Sequence, residues 1–198
     1  MTITKAKDLR DNGQFHNIPE NLPGWYRWWA KESEVKTLLN SIFLSKEYFN
    51  YLSKFILKGT GELEKYFCIY IGIASKGSIR ARLNWHINQE HSLSNIKSGF
   101  LSTFRQTISS LISGYQTDEN NTNKFLDKLT VEYYSINLRV KDKDAKKSLK
   151  IIEEDNLKNN IIPLNIQGNK RIELQEFLRD LKKARRSAKE KALKEGML

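Results

Sequence analysis

Nine consecutive residues, Tyr66-Phe-Cys-Ile-Tyr-Ile-Gly-Ile-Ala74, carry no charge. The run is far short of the roughly 20 apolar residues that span a bilayer, and its length suits a strand. It does not alternate apolar with polar, so both faces of that strand must be covered. The rest of the fold therefore has to supply neighbouring strands and helices to pack on them. Gly24-Trp-Tyr-Arg-Trp-Trp-Ala30 is short, aromatic-rich and preceded by a Pro-Gly break, which predicts a second strand. Leu129 to Val140 alternates well enough for a third. The implied architecture is a small sheet with helices packed on it.

Helical spacing accounts for much of what lies between. Val35, Leu38, Leu39, Ile42 and Phe43, then Phe49, Leu52, Phe55 and Ile56, predict two short helices or one bent helix over about 32–57. Ser78 is placed to cap a helix from Ile79 to about Gln89. Residues 96–115 predict another, followed by a polar loop, Thr117–Asn123, and a helix from about Ala145 to Asn159. From Arg171 onward Leu174, Leu178, Leu181, Ala184, Ala188 and Ala192 form a narrow apolar stripe on a highly charged helix. Three units follow: an irregular lead-in over 1–22, a central domain over 23–169, and a basic C-terminal helix over 170–198.

A net charge of +11 and a pI near 9.6 suit a polyanionic partner, although anionic lipid or a basic solubility tail fits the same balance. Cys68 is the only cysteine, so an intramolecular disulfide and a zinc finger are excluded. In its apolar run it reads as a small hydrophobe. The first residues lack the apolar core and cleavage site of a signal peptide, so a cytoplasmic, intracellular protein is expected, with no membrane partner.

Several side chains have chemical potential. Tyr70 points away from the face shared by Ile69 and Ile71. On the next helix Ile79, Leu83 and Ile87 should face the core, with Arg82 and His86 stacked on the neighbouring stripe. A histidine beside an arginine is costly to hold charged, which favours a neutral imidazole. Glu153, Glu154 and Asp155 follow Leu149, Ile151 and Ile152, and Glu154 lies three residues before Leu157, near the core edge. A carboxylate there suits a hard cation such as Mg2+, which binds through one or two carboxylates plus water and phosphate. The plainer alternatives are a solvated amphipathic helix carrying an incidental Arg and His, and a solvated acidic face.

In this order the pieces resemble the GIY-YIG nuclease superfamily. Gly24-Trp25-Tyr26 is similar to its "GIY" element, with Trp for Ile, and Tyr70-Ile71-Gly72 matches "YIG". Arg80-Ala-Arg82-Leu83 resembles the context of the catalytic arginine. His86 stands one turn later, as in some restriction enzymes of the superfamily. Glu154-Asp-Asn-Leu157 resembles the metal-binding Glu-x-x-Leu pattern, and Pro163-Leu-Asn165 the closing Asn. The departures are the 44-residue separation of Tyr26 and Tyr70, which implies a helical insertion over about 31–64, and a second extension over about 90–127. Glu153 replaces Glu154 if the helix register is one residue off.

The resemblance implies a mixed α+β fold with a small three-stranded, mainly antiparallel sheet flanked by helices. It implies a metal-dependent DNA endonuclease with one Mg2+ or Mn2+ on Glu154 and catalytic Tyr26, Tyr70, Arg82, His86, Glu154 and Asn165. DNA is the expected partner, with contacts from Arg80, Arg105, Lys182, Lys183, Arg185 and Arg186. Arg105 reads equally as a structural cap or buried ion pair, and the C-terminal cations as a solvated face. A homodimer is compatible with the sequence but not supported by it. A restriction-type role is one reading; a repair or mobile-element nuclease, a non-cutting nucleic-acid-binding module and a partner-binding protein are the others.

Overall fold

The structure, a computed structural model, describes residues 1–11, 13–40, 46–114 and 116–196. Its centre is an antiparallel sheet of four strands in the order β1-β4-β2-β3: β1 (Thr2–Lys5), β2 (Gly24–Lys31), β3 (Tyr66–Ala74) and β4 (Thr130–Ser135). The three strands expected from the pattern are present, and the fourth comes from the lead-in. Thr2 to Lys5 pairs with β4 from Tyr133 to Thr130, and α1 (Ala6–Asp11) buries Ala6 and Leu9. The expectation of an irregular segment over 1–22 is thereby corrected: Ala6, Leu9 and Ile18 anchor it in the core, and they are too widely and unevenly spaced for a periodic signal. β4 is also shorter than the alternation suggested, because the chain leaves the sheet after Ser135.

The "GIY" and "YIG" segments face each other across the ladder, Tyr26 opposite Gly72 and Trp28 opposite Tyr70. The register shifts between Trp28 and Trp29 because β3 contributes one extra residue, Ile69. Ile69 and Tyr70 therefore belong to one core and Cys68 and Ile71 to the other, which corrects the expectation that Ile69 and Ile71 share a face away from Tyr70. Both motif glycines are required by close approach. A Cβ at Gly24 would stand 2.1 Å from the Tyr134 carbonyl oxygen, and one at Gly72 would stand 2.2 Å from the Tyr26 hydroxyl.

Although β3 is an edge strand, its backbone is covered. Cys68 N donates to Leu57 O at 2.8 Å, Gly59 N to Tyr66 O at 2.9 Å, and Leu164 N to Ile69 O at 2.9 Å. The last part of the first insertion and the loop before the last helix thus satisfy groups that would otherwise invite a foreign strand.

Helices cover both faces. α4 (Ile79–Asn88) starts where Ser78 Oγ accepts from Ala81 N and buries Ile79, Leu83 and Ile87, each worth about 1.5–3 kcal/mol. The first insertion is two helices, α2 (Glu32–Asn40) and α3 (Lys46–Ser53); Ile42 and Phe43, assigned to it from their spacing, lie outside the described residues. The single helix expected over 96–115 is instead α5 (Leu93–Ser98) and α6 (Thr103–Ile112), because Ser102 starts a new helix by capping Arg105 N. The polar stretch expected as a loop over 117–123 is largely α7 (Glu119–Leu126): Asp118 caps it, and Thr122, Phe125 and Leu126 turn inward. Its Asn-rich surface had masked that apolar face.

α8 (Lys143–Asn159) lies against β3 and β2. α9 (Gln175–Glu195) packs Phe177, Leu178, Leu181, Ala184 and Ala188 against α5 and α6. The basic helix is therefore docked on the domain through its stripe. Among the described residues no helix is long and apolar enough to cross a membrane.

Candidate active site

Tyr26 and Tyr70 project from the same face of the sheet toward α4, and Tyr70 packs on Phe104 with ring centroids 4.8 Å apart. His86 sits among these rings and is only 1% exposed. Both of its ring nitrogens are engaged: Nε2 with the Tyr26 hydroxyl at 2.6 Å, and Nδ1 with Ser102 Oγ at 2.6 Å. Burial, followed by the charges of Arg82 and Arg105, holds His86 well below the ordinary 6.5, so the imidazole is neutral. A neutral ring carries one proton, so one nitrogen donates and the other accepts. The result is a three-membered hydrogen-bonded chain, Tyr26–His86–Ser102, along which a proton can shift.

The two phenols are held neutral as well. Burial pushes Tyr26 well above its ordinary 10, with Tyr70 adding to the effect and Arg82 opposing it. Burial also raises Tyr70 to about 12, against the pull of Arg82 and Arg185. Neither phenolate persists at neutral pH, and the Tyr26 hydroxyl has the neutral His86 ring as its hydrogen-bond partner.

These groups line a cavity of about 210 Å³ together with Gly72, Arg82, Trp85, Glu153 and others. The Arg82 guanidinium lies 4.7 Å over the Trp85 ring, and no carboxylate closes an ion pair with it among the described residues. Its charge is therefore available to a bound anion.

Sequence and structure part at the carboxylate. Glu154, the expected metal ligand, is 62% exposed and pairs with Lys150 at 3.4 Å across one helical turn. Glu153 lines the cavity instead. The reason is helical phase: Ala145, Leu149, Glu153 and Leu157 recur every four residues on the inward stripe of α8, and Glu154 stands one position off it. That spacing was available in the sequence as a signal. Burial, with the neighbouring Glu154 charge, raises the Glu153 carboxyl above its ordinary range, and Arg82 counteracts this.

Glu153 closes no ion pair and accepts no hydrogen bond among the described residues, nor is there any cluster of three or more His, Cys, Asp or Glu. One free, half-buried carboxylate beside a polar cavity does not suit a many-ligand transition-metal centre. It does fit Mg2+, which takes one or two carboxylates and fills its shell with water and substrate phosphate.

The remaining expected site residues lie elsewhere. Asn165 is buried and mimics a neighbouring strand: its Oδ1 accepts from Ile71 N and its Nδ2 donates to Ile71 O, both at 2.8 Å. It holds "YIG" in place from behind and does not line the cavity. Arg80 donates to the carbonyls of Ile18 and His16 and pairs with Glu20, which fastens the N-terminal segment to α4.

Arg105 is an interior residue. It donates to His86 O at 3.1 Å, Ile87 O at 2.8 Å, Asn123 Oδ1 at 2.7 Å and His91 Nε2 at 3.1 Å, which caps the end of α4. A phosphate grip is therefore replaced by a structural role. Arg185 is half-buried and held by Gln106 Oε1 at 2.7 Å, with its field reaching Tyr70. Lys182, Lys183 and Arg186 are exposed on α9. Gln167 was missed as a site residue, because an amide brought in from another element leaves no local pattern. Ser102 and Thr103, small polar groups at the start of α6 that the sequence offered as a phosphate grip together with Arg105, stand here as the histidine partner and a cavity-lining residue.

Comparison with known proteins gives one family: a model described as the GIY-YIG catalytic domain matches residues 24–187. No curated protein and no solved structure matches the chain.

Proposed function

The chain belongs to the GIY-YIG family, a nuclease-type fold, and from that premise we propose that it is a DNA endonuclease whose single divalent cation, Mg2+ or Mn2+, is held at Glu153. The observation that carries this reading is the convergence of Tyr26, Tyr70, Arg82, His86 and Glu153 on one cavity. A fold maintained only as a scaffold would gain nothing from a buried, neutral histidine bonded to a buried tyrosine, or from a guanidinium left without an acid partner.

The reaction is attack of water on a backbone phosphorus, with departure of the opposite oxygen. As the water oxygen bonds to phosphorus, its proton passes to the Tyr26 oxygen while the Tyr26 proton crosses to His86 Nε2. The bond to the opposite oxygen breaks, that oxygen takes a proton from solvent, and the imidazole returns its extra proton to solvent. Burial opposes both a lasting phenolate and a lasting imidazolium, so the transfer belongs to the transition state. Ser102 holds the far side of the imidazole and sets the ring's orientation. Arg82 meets the charge that accumulates on the phosphoryl oxygens, a preorganised role because its head is already stacked on Trp85. Tyr70 packs against Phe104 and lines the cavity. When bound, the cation at Glu153 supplies Lewis-acid polarisation of a phosphate oxygen and neutralises charge on the leaving oxygen.

The exposed cations of α9 are proposed to meet the DNA backbone. The Arg82 and His86 pair one turn apart supports a restriction-type role within the family. The test is plasmid nicking in Mg2+ against EDTA, with Arg82→Ala alongside. Cutting should require the cation and fall by about 10²–10³-fold in the variant; a variant that cuts like the wild type would overturn the proposal.

A further inference from the structure

A second cavity opens beside the first, with a volume of about 270 Å³. Arg82 and Trp85 line both, so the two lie side by side along α4. The lining of the second is mainly apolar, Ala74, Gly77, Ala81, Trp85 and Phe100, with Ser78 and Arg82 beside them. The Trp85 and Phe100 rings pack at a tilt, with centroids 6.0 Å apart and inclined at 56°, so a planar group has room against an open ring face and not between the two.

Phe100 is 63% exposed, yet the backbone that carries it is fixed. The buried Gln89 side chain grips the segment on both sides, donating to Phe100 O at 2.9 Å and accepting from Ser102 N at 2.6 Å. Phe100 N donates to Asn95 O at 3.0 Å. The chain thus presents a large aromatic ring to solvent from a rigid mount, immediately beside the histidine partner Ser102. An exposed ring that contributes little to the core but is held in place in this way is preorganised for a flat ligand.

We infer that this slot takes an unpaired nucleobase adjacent to the scissile phosphate, so that the preferred substrate is DNA with an unstacked nucleotide at the cut. The inference rests on the nuclease reading and names its substrate class. Three features favour a base. The Arg82 charge on the shared wall fixes a phosphate next to the slot, as a nucleotide requires. The volume lies just under the range of roughly 300 Å³ and above that drug-sized ligands fill, which suits one small planar group. Stacking on aromatic rings tolerates any base, since every base has a π-face.

The test measures binding in EDTA, so that it is independent of cleavage, with oligonucleotides carrying 2-aminopurine either unpaired or within full duplex. Wild type should bind the unpaired form more tightly and change its fluorescence on stacking. Phe100→Ala and Phe100→Leu should each weaken that binding by about 5- to 150-fold, the usual worth of one stacked base, and leave duplex binding unchanged. Phe100→Tyr should restore it. Equal affinity for the two forms in wild type, or an alanine variant that binds both like wild type, would overturn the inference. A leucine variant as good as wild type would do the same, since it would mark the slot as a seat for an apolar side chain. Because nicking is not read in this experiment, failure of the nuclease proposal registers separately.

Discussion

Gly72→Ala is the change that most sharply probes how the sheet builds the site. The new Cβ would stand 2.2 Å from the Tyr26 hydroxyl oxygen, 2.4 Å from Cζ and 3.0 Å from Cε2. The ring cannot step aside, because Tyr26 is only 2% exposed and is packed between Tyr70 and His86. To admit a methyl group it must tilt, and the 2.6 Å bond to His86 is then lost. Overpacking of this kind costs about 1–3 kcal/mol. A buried imidazole nitrogen left unpaired costs about 1–3 kcal/mol more. Together that is roughly 2–6 kcal/mol, from a domain whose whole stability is of the order of 5–15 kcal/mol.

Tyr26→Phe separates the two contributions, since it removes the bond without the clash and should cost only the second. Adding Gly72→Ala to it should still destabilise, because Cζ remains in the way. Urea unfolding followed by tryptophan fluorescence measures stability, and nicking rates measure the site. A Gly72→Ala protein within about 0.5 kcal/mol of wild type, and equally active, would refute the claim that this glycine exists to seat Tyr26.

Three further outcomes are expected. Stability should fall as pH drops below about 6.5: His86 and His91 are both held neutral by burial in the fold, His91 down to about 4, whereas in the unfolded chain they bind protons near 6.5. The fall should be steepest before Glu153 and Asp127 titrate, because burial raises those carboxyls and gives them the opposite sign; unfolding midpoints that stay flat from pH 7 to 5 would contradict it. Arg105→Ala should lower stability by about 1–3 kcal/mol through the unpaired carbonyl of His86, Ile87 O keeping its bond from Arg10, while leaving the salt dependence of DNA binding unmoved; a changed salt slope would restore a phosphate role. Replacing Lys182, Lys183 and Arg186 with Gln should flatten that slope by roughly 0.9 for each phosphate that is no longer neutralised, and an unchanged slope would dismiss the backbone clamp. Point changes are needed here, since truncating α9 would also remove Ala184 and Ala188 from the core.

Much of the frame was legible because it follows local periodicity. The apolar run gave β3 its bounds, Tyr66 to Ala74, and Ser78 marked the start of α4. Tyr26, Tyr70, Arg82 and His86 were identified as a group because each belongs to a short motif whose spacing survives the insertions. What escaped depends on long-range pairing. β1 is a strand because β4 had an open edge, and nothing in Thr2–Lys5 itself announces that. Asn165 and Arg105 carry polar groups that look like site chemistry until their partners, Ile71 and the last carbonyls of α4, are known. Glu154 was preferred over Glu153 through its three-residue spacing to Leu157, although the stripe through Ala145 and Leu149 distinguishes the two.

That distinction also gives the most direct test of the proposed site. Plasmid nicking in Mg2+ should be compared for Glu153→Gln, Glu154→Gln and wild type, with folding of each confirmed by its unfolding midpoint. Glu153→Gln should cut at least about a hundredfold more slowly, and Glu154→Gln should match wild type, because its carboxylate faces solvent and Lys150. A Glu153→Gln protein that cuts normally, or a dead Glu154→Gln, would contradict the placement of the cation site on which the proposed mechanism stands.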